Sequence, residues 1–231
     1  MRKLALVSSL LAGVLFCVTL AQSAGWLTIH RDRLCVTEGA IEETARDRLT
    51  VNVPKMRAYV NEWTAQSAEV RFTYLGGTSR ESALGSGTIR RQFGLKLHAQ
   101  DPCNLVDAIW RIDPESKVVV SVKRNPSQHT SAECGNRGYE NIKPRKASAV
   151  PRLGAGQSHT FRAEMKNAEL SVFVDNHEVW EGDVGAEAAK LEGPVGIRSD
   201  NARLEFDLMA RESAGSHPNY VETCKTGTSD E

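Results

Sequence analysis

Two acids on one strand face can divide the labour of general acid and nucleophile, so paired carboxylates are the first chemistry to look for here. Glu178–Glu181–Asp183 and Glu205–Asp207 come closest. Hydrolysis with retention needs two carboxyls about 5–5.5 Å apart in one cleft, one ionised and one protonated. Trp180 and Gly182 place the first set around a hairpin end. Glu205 and Asp207 share a face opposite Leu204, Phe206 and Leu208, which reads as a solvated strand face. The histidines, at 30, 98, 129, 159, 177 and 217, include no His-x-x-x-His pair for zinc. His177-Glu178-Val179-Trp180-Glu181 begins like a zincin motif but ends in Glu, and Gly85-Ser86-Gly87 lacks the flanking glycine of a nucleophile elbow. The sequence therefore assigns no catalytic residue and no metal centre.

Binding chemistry has more support. The middle of the chain carries a polar row in one phase of otherwise apolar segments: Gln92, Lys96 and His98, then Asp107 and Arg111, then Ser121 and Lys123. A loop with Asn136, Arg137 and Tyr139 lies beside it. His98, Asp107, Arg111 and Tyr139 are the candidate ligand residues, because pairing of neighbouring strands would gather one phase into one patch. Arg111 can fork two hydrogen bonds to hydroxyls or a carboxylate, Asp107 can accept from a hydroxyl, and Tyr139 can stack. Trp110 alternates with Ile109 and Arg111, so register decides whether it faces the core or the ligand.

The elements that must position these residues are strands. Arg48–Val53, Lys55–Asn61, Glu69–Leu75, Arg91–Gln100, Asn104–Asp113, Lys117–Lys123 and Ser158–Met165 each show strand signals, several with period-two alternation. Residues 171–184 and 193–208 each read as a hairpin, turned at Asp175-Asn176-His177-Glu178 and at Ser199-Asp200-Asn201. Short helices are expected near Ile41–Arg46 and Gly185–Lys190, and Arg124–Pro151 is expected to be rich in loops. The spacing of turn signals argues for an all-β antiparallel sandwich over a parallel α/β sheet.

The N-terminus reads as a secretory signal peptide over residues 1–24: Arg2 and Lys3, an apolar run from Leu4 to Leu20, then small residues through Ala24. The sandwich domain is expected over 25–210, with 211–231 a tail tethered at Cys224. The whole chain has 29 basic and 29 acidic residues, so losing Arg2 and Lys3 leaves a net charge near −2. No basic excess is present to drive nucleic-acid binding, and no stable membrane insertion is expected after cleavage. Cys35, Cys103, Cys134 and Cys224 remain, an even set that allows two bridges in three connectivities for an exported chain.

The order of an apolar strand, a Val-Asp turn, Val179-Trp180, Gly182, then Gly193-Pro194-Val195-Gly196-Ile197-Arg198-Ser199-Asp200-Asn201 and a last apolar strand resembles concanavalin-A-like (laminin-G-like) jelly-roll domains of bacterial secreted proteins. The resemblance covers about Arg48 to Ala210 as a strand pattern, with its specific signature in 171–208. It implies a jelly roll whose chain ends lie in neighbouring strands, which favours Cys35–Cys224 and therefore Cys103–Cys134. It implies carbohydrate as the ligand class, and with the leader and the missing acid pair the expectation is a non-catalytic carbohydrate-binding module, secreted, periplasmic or on the cell surface. The alternatives are a glycan-cleaving enzyme and a structural or adhesive protein with a protein partner. Enzymes of the fold carry Glu-x-Asp-x-x-Glu on one strand, and no third acid follows Glu205 and Asp207 at that spacing. No cofactor is expected, save a structural calcium, which relatives hold through Asp and Asn oxygens; Asp200-Asn201 and Asp175-Asn176 are the places for it.

Overall fold

The computed structural model describes residues 25–61 and 65–212. In chain order the strands are β1 (Trp26–Ile29), β2 (Leu34–Glu38), β3 (Glu42–Glu43), β4 (Leu49–Val51), β5 (Lys55–Val60), β6 (Ala65–Gly77), β7 (Arg91–Asp101) and β8 (Asn104–Asp113). After β9 (Lys117–Lys123) comes a helical turn, α1 (Ser131–Cys134), then β10 (Tyr139–Asn141) and β11 (Lys146–Ala147). The chain continues through β12 (Ser158–Lys166), β13 (Glu169–Val174), β14 (His177–Asp183), the turn α2 (Ala186–Ala189), β15 (Gly196–Asp200) and β16 (Ala202–Glu212).

These strands form two antiparallel sheets. One runs β11-β14-β13-β12-β6-β16-β4-β3, with β1 also on β16; the other runs β10-β9-β8-β7-β15-β5-β2. Period-two alternation sends one face of each sheet inward. Phe72 and Phe161 from the first sheet meet Phe93 and Trp110 from the second, with ring centroids 4.5–5.9 Å apart. Trp110 is therefore core, fully buried, and its indole N–H donates to Ser116 Oγ at 3.2 Å. Aromatic edges and faces packed in this way contribute beyond their buried area.

Two expectations fail. No helix forms over Ile41–Arg46: Glu42–Glu43 pairs with Thr50 and Leu49 as an edge strand, which places Ile41 and Leu49 in the core and leaves the two acids exposed. More consequentially, residues 193–208 are not a hairpin. β15 pairs with β5 and β7 in one sheet, whereas β16 pairs with β6, β4 and β1 in the other. The single residue between them, Asn201 at φ 54°, turns the chain across the sandwich instead of back along the same sheet. Ile197 and Leu204 then both enter the core, each from its own sheet. The 171–184 hairpin does form, as β13 and β14, with Asp175 and Asn176 at φ 49° and 64° in the two-residue turn. The expected short helix at Gly185–Lys190 is α2.

Cys103 and Cys134 are joined by a disulfide. Cys35 is buried in β2, and its expected partner Cys224 lies outside the described residues. The signal-peptide segment lies outside them as well. Among the described residues no helix is long and apolar enough to cross a membrane.

Candidate functional site

The outward face of the second sheet is polar because its strands are in register. Tyr59, Gly196, Lys96, Asp107, Ser121 and Asn141 form one row across it. Arg57, Arg198, Gly94, Ile109 and Val119 form the next, and Lys55, Asp200, Gln92, Arg111 and Lys117 a third. Over these rows lies a groove of about 740 Å³. Its volume is in the range of small-ligand sites.

Two loops rise beside the groove from opposite ends of the strands. The β6–β7 loop contributes Leu84, Gly85 and Ser86, and the segment around α1 contributes Ser131, Gly135 and Asn136. They meet above the sheet: a Cβ on Gly85 would fall on the Asn136 amide. Each loop is anchored by a buried asparagine. Asn201 accepts from Ser82 N at 2.8 Å and donates to Ser82 O and Arg90 O, both at 2.9 Å. Asn104 accepts from Asn125 N at 2.8 Å and donates to Gln128 O at 3.0 Å. The Cys103–Cys134 bridge and Lys123, whose ammonium donates to Gly135 O at 2.7 Å, complete the second anchor.

The floor is a chain of alternating charge. Arg57 Nη2 donates to Asp200 Oδ1 at 2.5 Å, and Arg198 Nη2 donates to Asp200 Oδ2 at 3.0 Å. Arg198 Nη1 donates to Asp107 Oδ2 at 2.9 Å, and Lys96 Nζ donates to Asp107 Oδ1 at 3.3 Å. Gln92 supplies a further donor to Asp200 at 2.9 Å. Burial works against each charge and the neighbours answer it. Burial would raise the Asp107 carboxyl, but Lys96, Arg198 and Arg57 hold it below the usual carboxylate range. Asp200 is likewise held low by Arg198 and Arg57 against the same burial. Burial pushes the Lys96 ammonium down to about 8, with Asp107 opposing. Carboxylates tied in this way stay ionised.

Glycine makes the chain possible. Arg198 on β15 reaches Asp107 on β8 across the intervening β7, and Gly94 stands opposite Arg198 on that strand. A Cβ there would come within 2.2 Å of the Ala108 carbonyl oxygen, so no side chain can occupy the crossing.

The four sequence candidates fall in different places. Arg111 and Tyr139 line the groove. Asp107 lies beneath it, fully buried and held by Lys96 and Arg198. His98 does not join them: it sits at φ 47° in the irregular stretch of β7, buried, with Nδ1 2.5 Å from Leu191 O. Burial lowers its pKa. Tyr139 is 42% exposed as a residue, and Lys123 Nζ lies 5.1 Å from the centroid of its ring. Its hydroxyl end turns inward, and burial followed by the Asp107 charge pushes its pKa up to about 12.

Lining residues that sequence reasoning missed include Arg57, Tyr59 and Arg198, with Lys55 and Arg90. The phase of the first three is readable in Lys-Met-Arg-Ala-Tyr-Val and in Gly-Ile-Arg-Ser-Asp. What is absent from the sequence is that β15 lies beside β7 and β5 beside β15. The acids weighed for catalysis are on the other sheet, where Arg48 donates to Glu205 at 2.7 Å and to Asp207 at 3.1 Å. The calcium candidates are occupied by protein donors: Asp200 as above, and Asp175 by His159 Nδ1 at 2.6 Å and Thr160 N at 2.8 Å. Among the described residues no cluster of three or more His, Cys, Asp or Glu is placed to hold a metal ion.

Two sheets joined in this way, with a loop-flanked groove on one outer face, define the concanavalin-A-like jelly roll. Among solved structures the chain is similar to the carbohydrate binding module CBM66 from Bacillus subtilis, at 14% identity and a TM-score of 0.54, covering 83% of this chain and 98% of that one. It is also similar to the Emp47p carbohydrate recognition domain, at 9% identity and a TM-score of 0.51, covering 84% of this chain and 99% of that one. At these identities the likeness is one of fold. No protein-family model and no curated protein matches the sequence.

Proposed function

We propose that the chain is an exported, non-catalytic carbohydrate-binding module whose ligand lies in the groove over the second sheet. The observation that carries this reading is the content of the groove: the part-exposed Tyr139 beside it, apolar floor at Ile109 and Val119, and planar donors from Arg111 and Asn141, above Arg57, Gln92 and Arg198 held on the floor carboxylates. Saccharides need both, since pyranose rings have apolar faces and hydroxyl rims. The likeness to carbohydrate-binding domains of the same fold agrees with it. The state of the nearby carboxylates supports binding over hydrolysis. A general acid needs a raised pKa, whereas Asp107 and Asp200 are held low by their cations. Export is supported by the N-terminal pattern and by the Cys103–Cys134 disulfide, which belongs in an oxidising compartment.

A broad glycan array on the purified protein, run with and without calcium, tests the reading. Binding to a defined set of glycans, lost in Tyr139→Ala, is the expected result. A blank array overturns it. Release of reducing ends from a polysaccharide panel would assign the fold to an enzyme instead.

A further inference from the structure

Charge in the groove is strongly one-sided, although the chain as a whole carries equal numbers of acidic and basic residues. Lys55, Arg57, Arg90, Lys96, Arg111, Lys123 and Arg198 line it, against a single lining carboxylate, Glu38. Adding the two buried acids of the floor, Asp107 and Asp200, still leaves four cations in excess.

The excess is concentrated where no internal partner exists. Arg57, Lys96 and Arg198 are spent on Asp107 and Asp200. Lys55, Arg90 and Arg111 have no carboxylate within 4 Å among the described residues, and the nearby acids are engaged elsewhere. Glu81 and Asp113 pair with Arg91, and Glu115 pairs with Lys117. Lys55 and Arg111 share the third cross-strand row, and Arg90 adjoins it, one residue before β7. Among the described residues, Arg111 Nε and Arg198 Nε are buried without any hydrogen-bond partner. An orphaned, partly buried guanidinium N–H beside a second unpaired guanidinium is costly unless an anion completes it.

We propose that the groove selects saccharides that bear a negative charge, a carboxylate or a sulfate ester, with Arg111, Arg90 and Lys55 receiving the acid group. This rests on the carbohydrate reading above and narrows it to acidic polysaccharides. Neutral sugars would leave the three cations of the groove without an acid partner. A guanidinium fork matches a planar carboxylate with two parallel hydrogen bonds and also serves a sulfate.

The test is affinity electrophoresis and calorimetry of the purified protein against polygalacturonate, its carboxyl-reduced polymer, dextran sulfate, dextran and poly-glutamate. Polygalacturonate or dextran sulfate is expected to bind at least tenfold more tightly than its neutral counterpart, and the two arms tell carboxylate from sulfate. Binding should weaken as salt rises from 50 to 500 mM, because screening shortens the reach of exposed charge. Arg111→Gln and Arg90→Gln should each weaken acidic-polymer binding five- to twentyfold, with circular dichroism unchanged. Arg90 and Lys55 lie at the rim, so Lys55→Gln serves should Arg111→Gln disturb the sheet. Neutral polymers bound as tightly as acidic ones would overturn this inference while leaving the carbohydrate reading intact. Poly-glutamate bound as tightly as the acidic saccharides would also overturn it, in favour of a general polyanion surface. Failure to bind any saccharide would remove both.

Discussion

Arg198 Nη1 donates to Asp107 Oδ2 at 2.9 Å across an intervening strand, joining residues 91 positions apart. This contact ties the crossing strand β15 to the central strands β7 and β8 and fixes the floor of the groove. Each residue holds one further partner in the sheet, Asp200 for Arg198 and Lys96 for Asp107, so the contact is the middle link of a buried chain of charge. Breaking a buried ion pair from one side typically costs about 3–5 kcal/mol, because it strands the remaining charge.

Asp107→Ala should therefore lower unfolding free energy by about that amount, read by urea denaturation at neutral pH. It leaves Lys96 and Arg198 without their shared acceptor. Replacing Asp107 and Lys96 together, as Asp107→Leu with Lys96→Met, should recover part of the loss. A double variant no more stable than Asp107→Ala alone would show that Lys96 is not the stranded charge.

Lys96 also sets a pH dependence. Its folded pKa, about 8, is below the ordinary 10.5, so between these values the unfolded chain binds more protons than the folded one. Stability must then rise with pH across that window. Above about 10 two tyrosines reverse the trend, since Tyr59 and Tyr139 resist ionisation in the folded state. Between pH 8 and 10 the protein should gain roughly 1–2 kcal/mol relative to Lys96→Met. Parallel denaturation midpoints for the two proteins across that range would refute the assignment.

Gly94→Ala should destabilise the sheet even though it adds a single methyl group. The new Cβ meets the Ala108 carbonyl oxygen at 2.2 Å and Ile109 Cδ1 at 2.7 Å. Overpacking of this kind costs about 1–3 kcal/mol or more. Thermal melting is the measurement, and an unchanged midpoint would mean that the strands separate freely at that point.

Asn201 does two things that one substitution pair can separate. It occupies a left-handed conformation at the sheet crossing, and its amide holds the β6–β7 loop at Ser82 and Arg90. Asn201→Gly keeps the turn and loses the latch, so limited proteolysis within 78–90 should accelerate while the core melts nearly as before. Asn201→Ala should lose both and unfold at lower temperature.

Glu205→Ala and Asp207→Ala should leave any ligand binding unchanged and cost about 1 kcal/mol or less each. Their partner Arg48 lies at the surface of the other sheet, where exposed pairs contribute little. Loss of groove binding in either variant would relocate the site.

Local chemistry made much of this protein legible before any coordinates. Period-two alternation marks β7, β8, β9, β12 and β13, because a strand with one buried face has no other way to be written. Asp175-Asn176 is a turn on the strength of its residue types alone, since these two tolerate positive φ. The outward phase of Asp107, Arg111, Ser121 and Lys123 follows from the same alternation. Tertiary structure alone decided which strands are neighbours. Residues 193–208 look like a hairpin because a strand, an Asp-Asn corner and a strand are written identically whether the chain doubles back or crosses the sandwich. Sheet choice is set by burial of Ile197 and Leu204 on opposite walls of one core, a non-local contact that local propensity does not encode. That crossing seats Arg198 between Asp107 and Asp200, sets Arg57 on Asp200 and assembles the groove. It also leaves His98, which has the right phase by count, turned into the protein by an irregular stretch at the end of its strand.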